Sequence, residues 1–140
     1  MKKILAPVDG SQNSFEALMS AKDMAEKFGG QLIILNIQKP ASFDTPHPVP
    51  DYQIDPEALK RRGKEILDKA EELVKGTSAE VKTLFTVGDP ADQILNLIEK
   101  EGADMVVMGS HGLSGIRRFL IGSVSNKVLQ HSPKPVMVIK

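Results

Sequence analysis

Short apolar runs alternate with amphipathic segments along this chain, and the alternation predicts an α/β fold. Residues 3–8 are mostly aliphatic and stop at Asp9, which is typical of a buried strand followed by a turn. The apolar period then becomes helical from about residue 11, and Gly29 and Gly30 end the helix. This first helix is expected to bury Phe15, Leu18, Ala21, Ala25 and Phe28. Residues 31–37 predict the second buried strand.

Two Asp-Pro pairs predict the next helices, because aspartate is a good N-cap and proline fits the first helical position. The helix after Asp55 should end by Gly76 and bury Leu59, Ile66, Ala70 and Leu73. The helix after Asp89 should end at Gly102 and bury Ala91, Ile94, Leu95 and Ile98. Strands are predicted over residues 79–87, 104–108 and 134–139, with a short helix at 123–129.

This order of elements predicts a single-domain, doubly wound, five-stranded parallel sheet with helices on both faces. One common winding for five strands is 3-2-1-4-5, in which the strand order reverses between strands one and four. Ligands of such sheets bind beyond the carboxyl ends of the strands at that reversal. Asp9 and Gly109 are therefore expected to be neighbours.

Residues 39–54 contain four prolines and few periodic apolar positions, which excludes a regular element. They predict a long loop, either functional or merely mobile. His47 lies within it and has no motif around it.

The length and composition of the chain exclude several classes of function. A chain of 140 residues that is 41% hydrophobic has the size of one globular domain, residues 1–140. Basic and acidic residues balance at 18 each, so no nucleic-acid partner is expected. The lack of cysteine excludes disulfides and cysteine-bound metal. The first apolar run is too short for a signal sequence and no run approaches the ~20 residues of a membrane helix, so a cytoplasmic protein without membrane contact is expected.

The candidate chemistry lies in a glycine-rich segment, residues 109–125. Its glycines permit positive φ and let backbone amides approach an anion. Gly122 to Ser125 stand at the start of the last helix, where free amides and the helix dipole attract phosphate. Ser123 and Ser125 add hydroxyl donors. The segment is neither a P-loop nor a Gly-x-Gly-x-x-Gly fingerprint.

Other residues admit two interpretations. Asp9 could contact a ligand, cap the first helix or stabilise a turn. Arg117 and Arg118 could reach a phosphate or a partner, or form a solvated pair beside Phe119 and Leu120. His111 has no carboxylate or nucleophile partner evident in the sequence, so a catalytic role is not expected. The three histidines show no metal-ligand spacing.

The glycine segment resembles the ATP-binding branch of the universal stress protein family. The family signature is Gly, two residues, Gly, nine residues, Gly, then Ser or Thr, and Gly109, Gly112, Gly122 and Ser123 match its spacing. Asp9-Gly10-Ser11, with Ser14, Ala17 and Leu18 behind it, and the final residues 135–139 are also similar to the family.

The resemblance implies a Rossmann-like fold with ATP as ligand and Mg²⁺ or Mn²⁺ on the phosphates. The positions expected to contact adenine and ribose are Pro7, Val8, Asp9 and Ile37. Those expected to line the ribose and the first phosphates are Met108, Gly109, His111 and Gly112. Those expected to hold the remaining phosphates are Gly122, Ser123, Val124 and Ser125.

The resemblance also implies a homodimer that pairs through the last strand, at Val136, Met137, Val138 and Ile139. With no catalytic residue evident, the expected function is nucleotide-dependent regulation in a stress response. The alternatives are a slow ATPase or nucleotidyl-transferring enzyme at the same site, and a nucleotide-free scaffold, against which the intact glycine spacing argues.

Overall fold

The computed structural model describes residues 2–40, 55–111 and 121–140. The strands are β1 (Lys3–Pro7), β2 (Gln31–Gln38), β3 (Glu80–Val87), β4 (Met105–Gly109) and β5 (Val136–Ile139). The helices are α1 (Gln12–Phe28), α2 (Pro56–Leu73), α3 (Pro90–Glu101) and α4 (Ser123–His131). The predicted alternation is confirmed, and the boundaries differ from the predicted ones by a few residues.

The five strands form one parallel sheet in the order β3-β2-β1-β4-β5, which confirms the predicted winding. The order reverses between β1 and β4, because β2 pairs with one side of β1 and β4 with the other. The carboxyl ends of β1 and β4 therefore form the crevice in which a doubly wound sheet binds its ligand.

Each face of the sheet carries its own core, as helices on both faces require. Alternate residues of β2 divide between the two cores, with Leu32 and Ile34 on one side and Ile33 and Leu35 on the other. The first core also takes in buried apolar residues of α1 and α2, such as Leu18 and Leu67, and the second takes in those of α3 and α4, such as Ile94 and Val128. Among the described residues, the helices are too short or too polar to cross a membrane.

Two predicted core positions are wrong. Phe28 is 46% exposed because it is the final residue of α1, and Ala25 is the last buried residue of that stripe. Leu73 is 40% exposed because α2 buries a different stripe, which runs through Gly63 and Leu67. A Cβ on Gly63 would lie 2.4 Å from the ring of Phe85, so the missing side chain lets α2 approach β3 along this line. The apolar pattern could not predict this buried stripe, since glycine is not counted among the apolar residues.

Candidate functional site

A cavity of about 240 Å³ opens at the carboxyl ends of β1 and β4, just below the ~300–1,000 Å³ usual for small-molecule sites. The structure brings eleven of the twelve predicted site residues to its wall: Pro7, Val8, Asp9, Ile37, Met108, Gly109, His111, Gly122, Ser123, Val124 and Ser125. Gly112, the twelfth, lies outside the described residues, as do Arg117, Arg118 and His47.

Sequence reasoning missed four further wall residues, Ser14, Leu35, Pro90 and Ile94. Pro90 and Ile94 belong to the first turns of α3, where the pattern marked only a helix start and a core stripe. The order of elements could have indicated these two residues, because α3 packs on the same face of the sheet as α4. The apolar half of the wall is therefore shared between strand ends and α3.

Asp9 shapes the turn that leaves β1. Its Oδ1 accepts a hydrogen bond from the backbone N–H of Ser11 at 2.9 Å. Ser11, not Asp9, caps α1, through the N–H of Ser14 at 3.1 Å. No hydrogen bond from the described part of the chain reaches Oδ2 of Asp9. Asp9 thus has one oxygen fixed by the turn and one left for another donor.

Val8 is held by β2 through both of its backbone groups. Its N–H donates to the carbonyl of Leu35, and its carbonyl accepts from Nδ2 of Asn36, each at 2.8 Å. Asn36 is fully buried, and its Oδ1 accepts from Nε2 of Gln38 at 2.9 Å. A satisfied buried amide of this kind rigidifies its surroundings. Asn36 was missed in the sequence, although one polar residue inside an apolar run was a visible signal.

The N-terminus of α4 faces the cavity with unpaired donors. Gly122 is its N-cap and supplies no side chain, and the first helical hydrogen bond comes from the N–H of Asn126. The N–H groups of Ser123, Val124 and Ser125 thus have no partner within the described ranges. Side chains cap α1, α2 and α3. Three free amides and the positive end of a helix dipole make this wall suited to an anion.

On the two sides of residues 112–120, Ser110 is joined to Gly122 and Ser125 through its carbonyl. We call this contact the neck of the glycine-rich segment. The carbonyl oxygen accepts from the N–H of Gly122 at 2.5 Å and from the hydroxyl of Ser125 at 2.9 Å. The Ser125 hydroxyl also lies 3.1 Å from the carbonyl of Gly122 and is buried. Its proton is therefore engaged within the protein. Ser125 can offer an anion its backbone N–H, while the expected hydroxyl donor serves the neck.

The motif glycines were expected to permit positive φ, but Gly109 and Gly122 do not use that freedom. Neither lies in the left-handed region, and Gly122 has φ −62°. Glycine is needed at these two positions because a side chain would have no room. A Cβ on Gly109 would lie 2.3 Å from Oδ1 of Asn13, and one on Gly122 would lie 3.0 Å from the carbonyl of Ser110. Among the site turns, it is Gly10 that has positive φ, at +93°.

His111 is oriented by its neighbours. Its Nδ1 lies 2.9 Å from the hydroxyl of Ser110, and its backbone N–H donates to Oδ1 of Asn13 at 3.1 Å. No carboxylate of the described residues contacts its ring. Nor do three or more His, Cys, Asp or Glu residues cluster as metal ligands within those ranges. The site geometry thus offers anion donors and apolar walls.

The whole chain, residues 1–140, matches the family model described as the universal stress protein family. The chain belongs to the universal stress protein family. It is 34% identical over 145 residues to universal stress protein YxiE of Bacillus subtilis, covering 99% of this chain and 98% of that protein.

Solved universal stress proteins share the fold. The Lactobacillus plantarum protein UspA superposes with a TM-score of 0.84 at 26% identity, covering 99% of this chain and 97% of that one. A universal stress protein solved in complex with cAMP gives a TM-score of 0.75 at 27% identity, covering 99% and 97%. The Rossmann-like universal stress protein fold expected from the sequence is therefore confirmed.

Proposed function

We propose that this universal stress protein is a one-domain nucleotide-dependent regulator that binds ATP in the cavity between β1 and β4. The observation that carries the proposal is the uncapped start of α4, where three residues whose amides have no partner in the described ranges line the same cavity as Asp9. An adenine nucleotide requires both an apolar pocket for its base and donors for its phosphates. The relative in complex with cAMP supports the same class of ligand.

The proposed contacts follow from the two halves of the wall. The apolar residues Val8, Ile37 and Met108 would pack on the base, and the free Oδ2 of Asp9 would accept from a ribose hydroxyl or the base. The amides of Ser123, Val124 and Ser125 would donate to phosphate oxygens, which form stronger bonds because they are charged. Gly109, Gly112 and His111 would line the path between them.

A divalent cation, Mg²⁺ or Mn²⁺, would sit on the phosphate oxygens of the bound nucleotide. Mg²⁺ typically binds through substrate phosphates with few protein ligands and several waters. This mode requires no cluster of acidic side chains at the site. The chemistry that the cation supplies is charge neutralisation of the triphosphate.

The direct test is to denature freshly purified protein and identify any released nucleotide by chromatography and mass spectrometry. ATP in near-equal amount to the chain supports the proposal. Equilibrium dialysis with ATP and Mg²⁺ provides the second measurement, and Gly122→Val should abolish binding because its side chain meets the Ser110 carbonyl and His111. No binding by the wild type, or intact binding by Gly122→Val, contradicts the proposal.

The described site offers few catalytic groups for the alternative of a slow ATPase or nucleotidyl transferase. Its only imidazole, that of His111, contacts a serine hydroxyl and no carboxylate there. We therefore propose regulation by bound nucleotide. Phosphate release faster than about 1 s⁻¹, abolished by one cavity substitution, would favour the enzyme instead.

We also propose that the protein acts as a homodimer through β5. This strand lies at one edge of the sheet, and its Met137 is 37% exposed. An edge strand presents unpaired backbone groups that readily pair with a second chain. Val136, Val138 and Ile139, which are half-buried, would lie along the same interface.

A further inference from the structure

Asn13 connects three parts of the chain that are distant in sequence. It lies in the first turn of α1 and is only 8% exposed. Its Nδ2 donates to the carbonyl of Ile139 at 2.9 Å, and its Oδ1 accepts from the N–H of His111 at 3.1 Å. One partner accepts and the other donates, so the orientation of the amide is determined. A single side chain thus joins the cavity wall to the last residue of β5.

Within the described residues, the carbonyl of Ile139 accepts two hydrogen bonds, and the one from Asn13 is the first. It also accepts from the N–H of Ser110 at 2.9 Å, and Ser110 carries the neck of the glycine-rich segment. Ile139 is in register with Gly109 in the pairing of β4 with β5. A Cβ on Gly109 would lie 2.3 Å from Oδ1 of Asn13. The first motif glycine therefore leaves the space in which the Asn13 amide sits.

Helix formation does not explain Asn13. Asparagine has a low helix propensity, and α1 is already capped by Ser11. The amide is also costly to bury unless both its ends are satisfied. What these two bonds do is fix the position of His111 relative to the end of the edge strand.

We propose that Asn13 is a positioning residue that couples the nucleotide site to the end of β5, an inference that rests on the proposed ATP site. Phosphates held at the start of α4 fix Ser110 and His111, and Asn13 transmits that restraint to Ile139. Coupling between two sites is reciprocal. Ordering of β5, for example by pairing with a second copy, therefore tightens nucleotide binding.

The test compares hydrogen exchange of the C-terminal peptide, residues 136–140, with and without saturating ATP and Mg²⁺. In the wild type, ATP should slow exchange in this peptide severalfold. Asn13→Leu keeps the side-chain volume and removes both bonds. It should weaken ATP binding about tenfold, or ~1.4 kcal/mol, by calorimetry. At saturating ATP the slowing of exchange in β5 should be much smaller than in the wild type, because, of the described hydrogen bonds to the carbonyl of Ile139, only the one from the N–H of Ser110 then remains.

Two further variants separate coupling from general stability. Asp55→Ala removes the cap of α2, a helix that does not line the cavity, and should lower the melting temperature while ATP affinity and the β5 response remain. Asn13→Asp keeps the acceptor for the N–H of His111 and loses the donor to Ile139. It should bind ATP measurably and show a much smaller β5 response than the wild type. This variant also serves if Asn13→Leu does not fold.

The outcomes distinguish this inference from the proposed function. If the wild type binds no ATP, both are wrong. If it binds ATP and exchange in β5 does not change, only the coupling is refuted. A wild-type response that persists in Asn13→Leu or Asn13→Asp also overturns it, and so does its loss in Asp55→Ala.

Discussion

Replacing Ser123 by proline removes a single proposed phosphate donor without damage to α4. Ser123 is the first residue of the helix, and its N–H has no partner in the described structure. Proline is favoured at this position because its missing N–H would make no helical bond. The residue before a proline must be extended, and Gly122 already has φ −62° and ψ 159°. The folded chain should therefore accept Ser123→Pro.

The expected loss of affinity follows from the charge on the acceptor. A hydrogen bond to a charged group contributes ~1.5–3 kcal/mol. Since about 1.4 kcal/mol is tenfold in a dissociation constant, Ser123→Pro should bind ATP roughly ten- to a hundredfold more weakly. The proline ring adds to this effect, because its Cδ occupies the place of the amide hydrogen.

Ser123→Ala is the matched control, because it removes the hydroxyl and keeps the N–H. Titration calorimetry with ATP and Mg²⁺ measures the affinity of the wild type and both variants, and thermal unfolding without nucleotide measures their stability. We expect Ser123→Ala to remain much closer to the wild type than Ser123→Pro, with all three melting together. Equal affinities of the proline and alanine variants, with both folded, would refute the role of the α4 amides.

Three further predictions test the fold, its pH dependence and its assembly. Gly30→Ala should lower the free energy of unfolding in urea more than Gly29→Ala does. Gly29 has a left-handed φ of +61°, so alanine there costs about 1 kcal/mol, whereas a Cβ on Gly30 would lie 2.3 Å from the carbonyl of Lys2. Equal losses would contradict this. The pKa of Asp104 is lowered because two backbone amides at the start of β1 donate to its carboxylate. Its stabilisation is thus present above the unfolded pKa and lost as pH falls through the lowered folded value. Asp104→Asn should flatten the fall in melting temperature in acid, and an unchanged slope would count against it. Met137→Lys should shift sedimentation from dimer to monomer, and an unchanged mass would exclude β5 as the interface.

Much of the fold could be predicted from the sequence, because local signals mark most of its boundaries. Asp55-Pro56 and Asp89-Pro90 begin helices as expected, and Gly102 ends α3 in the left-handed conformation. The parallel sheet followed from the alternation of strands and helices, and the winding order was predicted as one that is common for five strands. The place of the cavity then followed from the reversal of strand order. These inferences need no knowledge of side-chain contacts.

What the sequence could not show are contacts between segments that are distant along the chain. Asn36 and Asn13 hydrogen-bond to backbone groups that lie 28 to 126 positions away. Ser125 resembled a phosphate donor, whereas its hydroxyl is used by the carbonyl of Ser110. Such roles depend on which groups the fold brings together. No spacing rule within one element contains that information.

The motif glycines show why the two kinds of inference differ. A spacing of glycines invites an argument from backbone freedom, which would allow asparagine at the same positions. At Gly109 and Gly122 the backbone needs no such freedom, and the constraint is the space beyond the missing Cβ. At Gly109 that space holds the Asn13 amide, and at Gly122 it brings the start of α4 against Ser110. The glycines thus allow β4, α1 and α4 to pack closely at one wall of the cavity. The sequence pattern marks the site because it records this close packing.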